Sequence, residues 1–207
     1  LIMIEKPILF SGPMVRAILE GKKTQTRRVV APGASQSWLT SDLLHSAPTA
    51  EVGPIYAQFT HPLGGPLTCV RIPHPVGTRL WVRETWYSTP DKKTLLGYAA
   101  DDQIPHGEPY RIRPSIFMPR KFSRINLLVT EVRCQRLQDI TEEDARAEGA
   151  EPWPFGPEQP MTSGELGAVC PYRGGFAVLW DDINTDRGFT WYSNPWVWAY
   201  TFQRILE

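Results

Sequence analysis

The chain has 207 residues, 42% hydrophobic and 21% charged, and its 22 basic and 22 acidic side chains cancel to a formal net charge of zero. That composition excludes global disorder, and the neutrality excludes a general polyanion binder, because sequence-independent duplex binding draws on a large basic excess. A chain of this length buries roughly 70% of its unfolded surface and needs no disulfide staple. Cys69, Cys134 and Cys170 are too widely spaced for a disulfide framework or a paired metal-ligand motif, which fits a reducing cytosol.

The first predicted strand is Pro7 to Phe10. Ser11-Gly12-Pro13 then opens a short helix whose apolar stripe is Val15, Ile18 and Leu19, and Gly21 stops it. After Lys22-Lys23-Thr24-Gln25-Thr26-Arg27-Arg28 the chain enters a strand through Val29-Val30. Residues 31–76 are rich in Pro, Gly, Ser and Thr and read as a long insertion, with a short helix near Leu39–Leu44. Arg79 to Trp86 alternates as a strand, and 88–112 is a second polar insertion. Ile125 to Leu137 carries the longest strand signal.

Thr141, followed three residues on by Asp144, starts a helix with acids in its first turn; the helix runs to Glu148 and stops at Gly149. A third irregular stretch covers 150–172. Phe176–Ile183 reads as a helix with Phe176, Leu179, Trp180 and Ile183 on one face, and Trp196–Phe202 as an aromatic final strand. Twenty prolines, concentrated at 32–119 and 152–171, keep the insertions out of regular structure. The pattern is a mixed α+β chain built on an antiparallel sheet or barrel, one domain over 1–207, with no membrane-spanning run and no signal peptide.

Four stretches carry candidate chemistry. Gly21–Arg28 packs four cations and two threonines into eight residues. It is either a solvated basic turn or a cradle for phosphate or carbonyl oxygen, and on an extended strand Thr24, Thr26 and Arg28 share one face while Lys23, Gln25 and Arg27 share the other. Arg79–Trp86 sets Trp81, Arg83 and Thr85 against Val82, Glu84 and Trp86; its tryptophans either fill a core or stack on a base. Arg113–Arg124 interleaves cations, including Arg120, with Ser115 and apolar residues, as a polyanion clamp or a basic rim does. Capping explains most acids of Thr141–Gly149, but Glu148 sits at the helix C-terminus, where a carboxylate is unfavourable. His45, His61, His74 and His106 lie in loops without ligand spacing, so neither a metal nor a cofactor is expected.

Taken in order, Lys6–Ser11, Gly21-Lys22-Lys23-Thr24-Gln25-Thr26-Arg27, Gly77-x-Arg79-Leu80-Trp81-Val82, Pro114–Arg120, Leu137–Ala145 and Asn194–Trp198 resemble the ASCH domain family, especially its phage and prophage branch. The resemblance spans nearly the whole chain outside the three insertions. It implies a PUA-like β-barrel with short flanking helices, and a monomer in the cytoplasm of a bacterium or of a phage-infected host. It also implies recognition of RNA or a modified nucleoside, with hydrolysis of an N-acyl amide such as that of N4-acetylcytidine. The motif match gives the catalytic roles to Lys23, Thr26 and Glu148. Arg27, Arg28, Arg83, Glu84, Trp86, Ser115 and Arg120 are the expected substrate contacts, and Arg113 joins the arginines expected to hold nucleic acid. The alternatives are a non-catalytic RNA or modified-base binding module, and an RNase.

Overall fold

The computed structural model describes residues 5–30, 50–52, 56–59, 68–107, 109–153 and 170–206. In chain order these form β1 (Glu5–Leu9), α1 (Gly12–Leu19), β2 (Gln25–Val29), β3 (Ala50–Val52), β4 (Tyr56–Phe59), β5 (Thr68–Arg71), β6 (Arg79–Arg83), β7 (Trp86–Ser88), β8 (Leu95–Tyr98), β9 (Arg111–Arg113), β10 (Asn126–Arg136), α2 (Glu142–Ala147), α3 (Pro171–Asn184) and β11 (Trp196–Ile205). The fold is mixed α+β, mostly sheet. Two compact units are built from interleaved segments: 1–24, 76–130 and 202–207 make the first, 25–75 and 131–201 the second.

In the first unit β1 runs parallel to β6, with Ile8 opposite Val82, and β6 pairs antiparallel with the start of β10, Trp81 opposite Asn126. The parallel pair departs from the antiparallel sheet expected from sequence. With about 70 residues between them, β1 and β6 are not a hairpin, and a connection that long permits either sense. Ile8, Val15, Ile18, Leu80, Val82, Leu127 and Val129 are buried, so the alternation of the strands meets the 3.6-residue stripe of α1. Gly21, at φ +74°, closes α1 as a left-handed cap: its N–H donates to the Ile18 carbonyl and that of Lys22 to the Ala17 carbonyl. A second sheet, β8-β7-β9, joins Trp86–Ser88 to two short strands, β8 and most of β9, that come from the segment expected to be the irregular 88–112 insertion. The expected single strand from Arg79 to Trp86 is broken at Glu84-Thr85, where the Glu84 N–H turns to the Met118 sulfur and the Thr85 carbonyl accepts from Ala99.

In the second unit β2 pairs antiparallel with β11, Thr26 opposite Tyr200 and Arg27 opposite Ala199. The row continues through β11 to β10, and among the described residues it does not close on itself. The core is Leu137, Ile140, Ala145, Ala150, Phe176, Ala177, Trp180, Trp191 and Val197. A three-stranded antiparallel sheet, β3-β4-β5, lies within 31–76, which the sequence reading left irregular; the helix expected near Leu39–Leu44 lies outside the described residues.

Helix α3 begins at Pro171, five residues earlier than expected, because proline suits a first helical turn and the Glu142 carboxylate accepts from the backbone N–H groups of Tyr172 and Arg173 there. Its buried stripe is Phe176, Ala177, Trp180 and Asn184, so Ile183, expected on the core face, is 50% exposed. Trp180 Nε1 donates outside the helix to the Phe189 carbonyl, which holds that edge inward, while Asn184 Nδ2 is satisfied within the helix by the Trp180 carbonyl.

Candidate functional site

The chemistry-bearing residues of the second unit converge on Asp144. Thr141 caps α2, its Oγ1 accepting from the Asp144 N–H at 3.1 Å. That leaves the Asp144 carboxylate to face β2 and β10. Gln25 Nε2 donates to it at 2.9 Å, Arg27 Nη2 at 2.7 Å, and Arg133 Nη2 reaches both its oxygens at 3.0 and 3.1 Å. Arg27 also donates through Nη1 to Glu148 Oε1 at 3.0 Å and to Gln25 Oε1 at 3.2 Å, so one guanidinium bridges two carboxylates. Its side chain has 0% exposure, and its Cζ lies 5.9 Å from the centre of the Phe176 ring.

Asp144 and Glu148 are four residues apart, which sets both acids on one side of α2. Glu148 is the C-cap residue, and the chain leaves it through Gly149 at φ +77°, whose N–H donates to the Arg146 carbonyl. The unfavourable place of that acid at the helix end is offset by its ion pair with Arg27. Arg27 and Arg133 face Asp144 and Glu148, and Arg133, whose side chain is 36% exposed, also lies 3.7 Å from the Glu131 carboxylate at the open edge of the cluster.

Burial pushes the Asp144 carboxyl up, but the Gln25 hydrogen bond and the charges of Arg27 and Arg133 outweigh it, and the net position is below the ordinary aspartate value. A carboxyl depressed on folding contributes stability above its unfolded pKa of about 3.8 and loses it as pH falls through the folded value. Acid unfolding should therefore begin below about pH 4 in the wild type, while Asp144→Asn should flatten that limb. Circular dichroism melts from pH 2 to 7 read both, and identical acid limbs for the two proteins would overturn the assignment.

Among the expected substrate contacts of this unit, Arg27 is committed to Asp144 and Glu148. Arg28 lies opposite Trp198 on β11. Burial pushes its guanidinium down; the negative charge of Glu148 pulls it back up, and Arg187 pushes it down again. Thr26 is buried at 4% exposure, and strand alternation sets it on the Arg28 face, opposite Gln25 and Arg27. The described contacts thus join Glu148 to Arg27 directly and to Arg28 through charge, and Thr26 is not among the hydrogen-bonded members of the cluster. The sequence reading missed Asp144, Arg133 and Gln25. The signal that could have found Asp144 is its four-residue spacing from Glu148.

The first unit holds the other expected residues. Lys23 is buried at 4% exposure, with Nζ 5.6 Å from the centre of the Phe10 ring and its N–H donating to the Ala17 carbonyl. Glu84, at 1% exposure, takes a fork from Arg124: Nε to Oε1 at 2.9 Å and Nη2 to Oε2 at 3.0 Å. Arg124 also holds Asp101 and lies 3.9 Å from the Tyr98 ring centre. Trp86 is buried with its ring 5.0 Å from Phe122. Arg83 lies 4.6 Å from the Trp81 ring and donates to the Ile116 carbonyl; Arg120 flanks the same ring at 6.0 Å and pairs with Glu5. Ser115 opens the 3₁₀ turn Ser115–Phe117, its carbonyl accepting from Met118. Arg113 donates to Ser88 Oγ and the Pro90 carbonyl.

Cys69, Cys134 and Cys170 are unpaired thiols, and burial pushes Cys134 up to about 12. Among the described residues no group of three or more His, Cys, Asp and Glu is placed to hold a metal, and no helix is long and apolar enough to cross a membrane. No protein-family profile, curated protein or solved structure matches the chain.

Proposed function

We propose that the chain is an ASCH-type protein that takes up a modified nucleoside or an RNA base and hydrolyses its N-acyl amide, with N4-acetylcytidine as the reference substrate. The observation that carries this reading is burial. The three residues to which the resemblance gives catalysis, Lys23, Thr26 and Glu148, are polar or charged yet only 3–4% exposed. Lysine and glutamate are rarely buried without a specific reason. The accompanying fold reading is a PUA-like barrel. Its support is that β1, β2, β6, β10 and β11 fall on the segments the family order calls for.

In the proposed reaction Thr26 Oγ1 attacks the acyl carbon. Either Glu148 removes the hydroxyl proton and passes it to the departing amine while the Lys23 ammonium stabilises the tetrahedral oxyanion, or a neutral Lys23 removes that proton and returns it to the departing amine. The C–N bond breaks to release cytidine, and water then cleaves the acyl-threonine to acetate.

Purified protein incubated with N4-acetylcytidine should release cytidine, resolved by chromatography. Thr26→Ala should abolish release with an unchanged circular dichroism spectrum, and Thr26→Ser should retain part of it. Absence of turnover by the wild type at high enzyme concentration, or full activity in Thr26→Ala, would sink the reading.

A further inference from the structure

We infer that Arg27 is a positioning residue for Glu148, fastening the carboxylate at the end of α2 to the Gln25–Asp144–Arg133 frame instead of touching the substrate. The inference rests on the proposed catalytic role of Glu148 and adds to it the element that sets its geometry. Arg27 is unsuited to ligand contact because its terminal nitrogens are already bound, Nη2 to Asp144 at 2.7 Å and Nη1 to Glu148 at 3.0 Å and Gln25 Oε1 at 3.2 Å. Reaching a ligand would break two buried ion pairs. Its partners are themselves fixed. Asp144 is held by Gln25 and Arg133, by the Thr141 cap through its own backbone, and by its position on α2. Arg27 is fixed by its place opposite Ala199 in the β2–β11 ladder.

The backbone of Glu148 is held, its N–H donating to the Asp144 carbonyl at 2.9 Å, so what is left to be set in this C-cap glutamate is the rotamer freedom of a long side chain. The planar guanidinium removes that freedom, because its two terminal nitrogens diverge to two carboxylates whose spacing α2 dictates. Lysine supplies the charge but not the fork, so Arg27→Lys should restore only part of what Arg27→Met loses. Misplacing a reacting group by about 1 Å costs on the order of 100-fold in rate, and a residue that acts through another shows that loss in kcat.

The test uses the full chain with two readouts. Thermal melts of the wild type, Arg27→Met, Glu148→Gln and the double variant should be non-additive, the double variant falling little below the worse single one. With N4-acetylcytidine, Arg27→Met should lower kcat about 100-fold with KM nearly unchanged, and Arg27→Lys should lie between. Should Arg27→Met not fold, Arg27→Lys carries the kcat readout alone. Additive melts, an unchanged kcat, or a raised KM at constant kcat would overturn the positioning role while leaving the proposed hydrolase standing. No turnover by the wild type would overturn the hydrolase, and the role of Arg27 with it, even where the melts are coupled.

Discussion

Arg124→Met is expected to destabilise the protein by about 3 kcal/mol at neutral pH, a depression of roughly 6–12 °C in the melting midpoint for a chain of this size. The source is Glu84, whose carboxylate is enclosed at the broken junction between β6 and β7 and takes both fork bonds from Arg124. Methionine fills much of the same space but leaves that carboxylate without the fork. The loss of the Tyr98 ring contact adds to the effect, while Asp101, 36% exposed, regains water and adds little.

The pH dependence identifies the mechanism. Glu84 already lies above the ordinary glutamate value, because burial outweighs the Arg124 hydrogen bond and charge. Removing Arg124 raises it further. A carboxyl raised on folding is a liability above its folded pKa, and the liability disappears as pH falls toward the unfolded value of 4.5, where the protonated acid is accepted. The deficit of Arg124→Met should thus shrink between neutrality and about pH 5. A second substitution, Glu84→Met, should recover much of it at neutral pH, since removing both charges is far milder than removing one. A deficit that is flat with pH, or one unchanged in the double variant, would mean that Arg124 acts by packing rather than charge.

The strands β1, β2, β6, β10 and β11 were legible because each carries apolar or β-branched residues and is bounded by Gly, Pro or a polar cluster, β11 as a continuous apolar stretch, and both helix stops at Gly21 and Gly149 were legible because a left-handed cap has a narrow residue preference. What was not legible is non-local. Nothing in residues 5–9 says that they pair parallel with 79–83, since sense depends on a path of about 70 residues. The small sheets β3-β4-β5 and β8-β7-β9 were hidden by short strands in Pro- and Gly-containing sequence, where an alternation of three or four residues carries little signal.

The candidate site divides in the same way. Glu148 stood out because local electrostatics disfavours it. Asp144 did not, because helix capping gave its first-turn acid a sufficient local explanation, and only the fold reveals that the Asp144 backbone N–H donates to the Thr141 cap while its carboxylate accepts from Gln25, Arg27 and Arg133. Arg27, counted by its charge among ligand contacts, is in the fold an internal strut. Charge is readable in sequence, but whether a cation faces solvent or another residue is decided by tertiary packing.

Gly175→Ala tests the least intuitive consequence of that packing. In an isolated helix the change stabilises by about 1 kcal/mol, because alanine loses less backbone freedom. Within α3 it should destabilise the protein by about 2 kcal/mol or more, since a methyl group at Gly175 would collide with the backbone carbonyl of Glu151. Backbone cannot rotate aside as a long side chain can, and the Trp153 N–H is tied to the Pro171 carbonyl just beyond, which holds the segment against the first turns of α3. The strain should spread to the ion-pair cluster, because the same helix carries Phe176, on which the Arg27 guanidinium rests. Gly12 in α1 is the internal control: a Cβ there meets its nearest atoms at 3.9 Å, ordinary contact, so Gly12→Ala should be neutral or slightly stabilising. Chemical denaturation of the two variants beside the wild type gives both midpoints. Opposite signs are expected from the same substitution in two helices, and a Gly175→Ala midpoint at or above that of the wild type would show that the Glu151 segment yields at little cost.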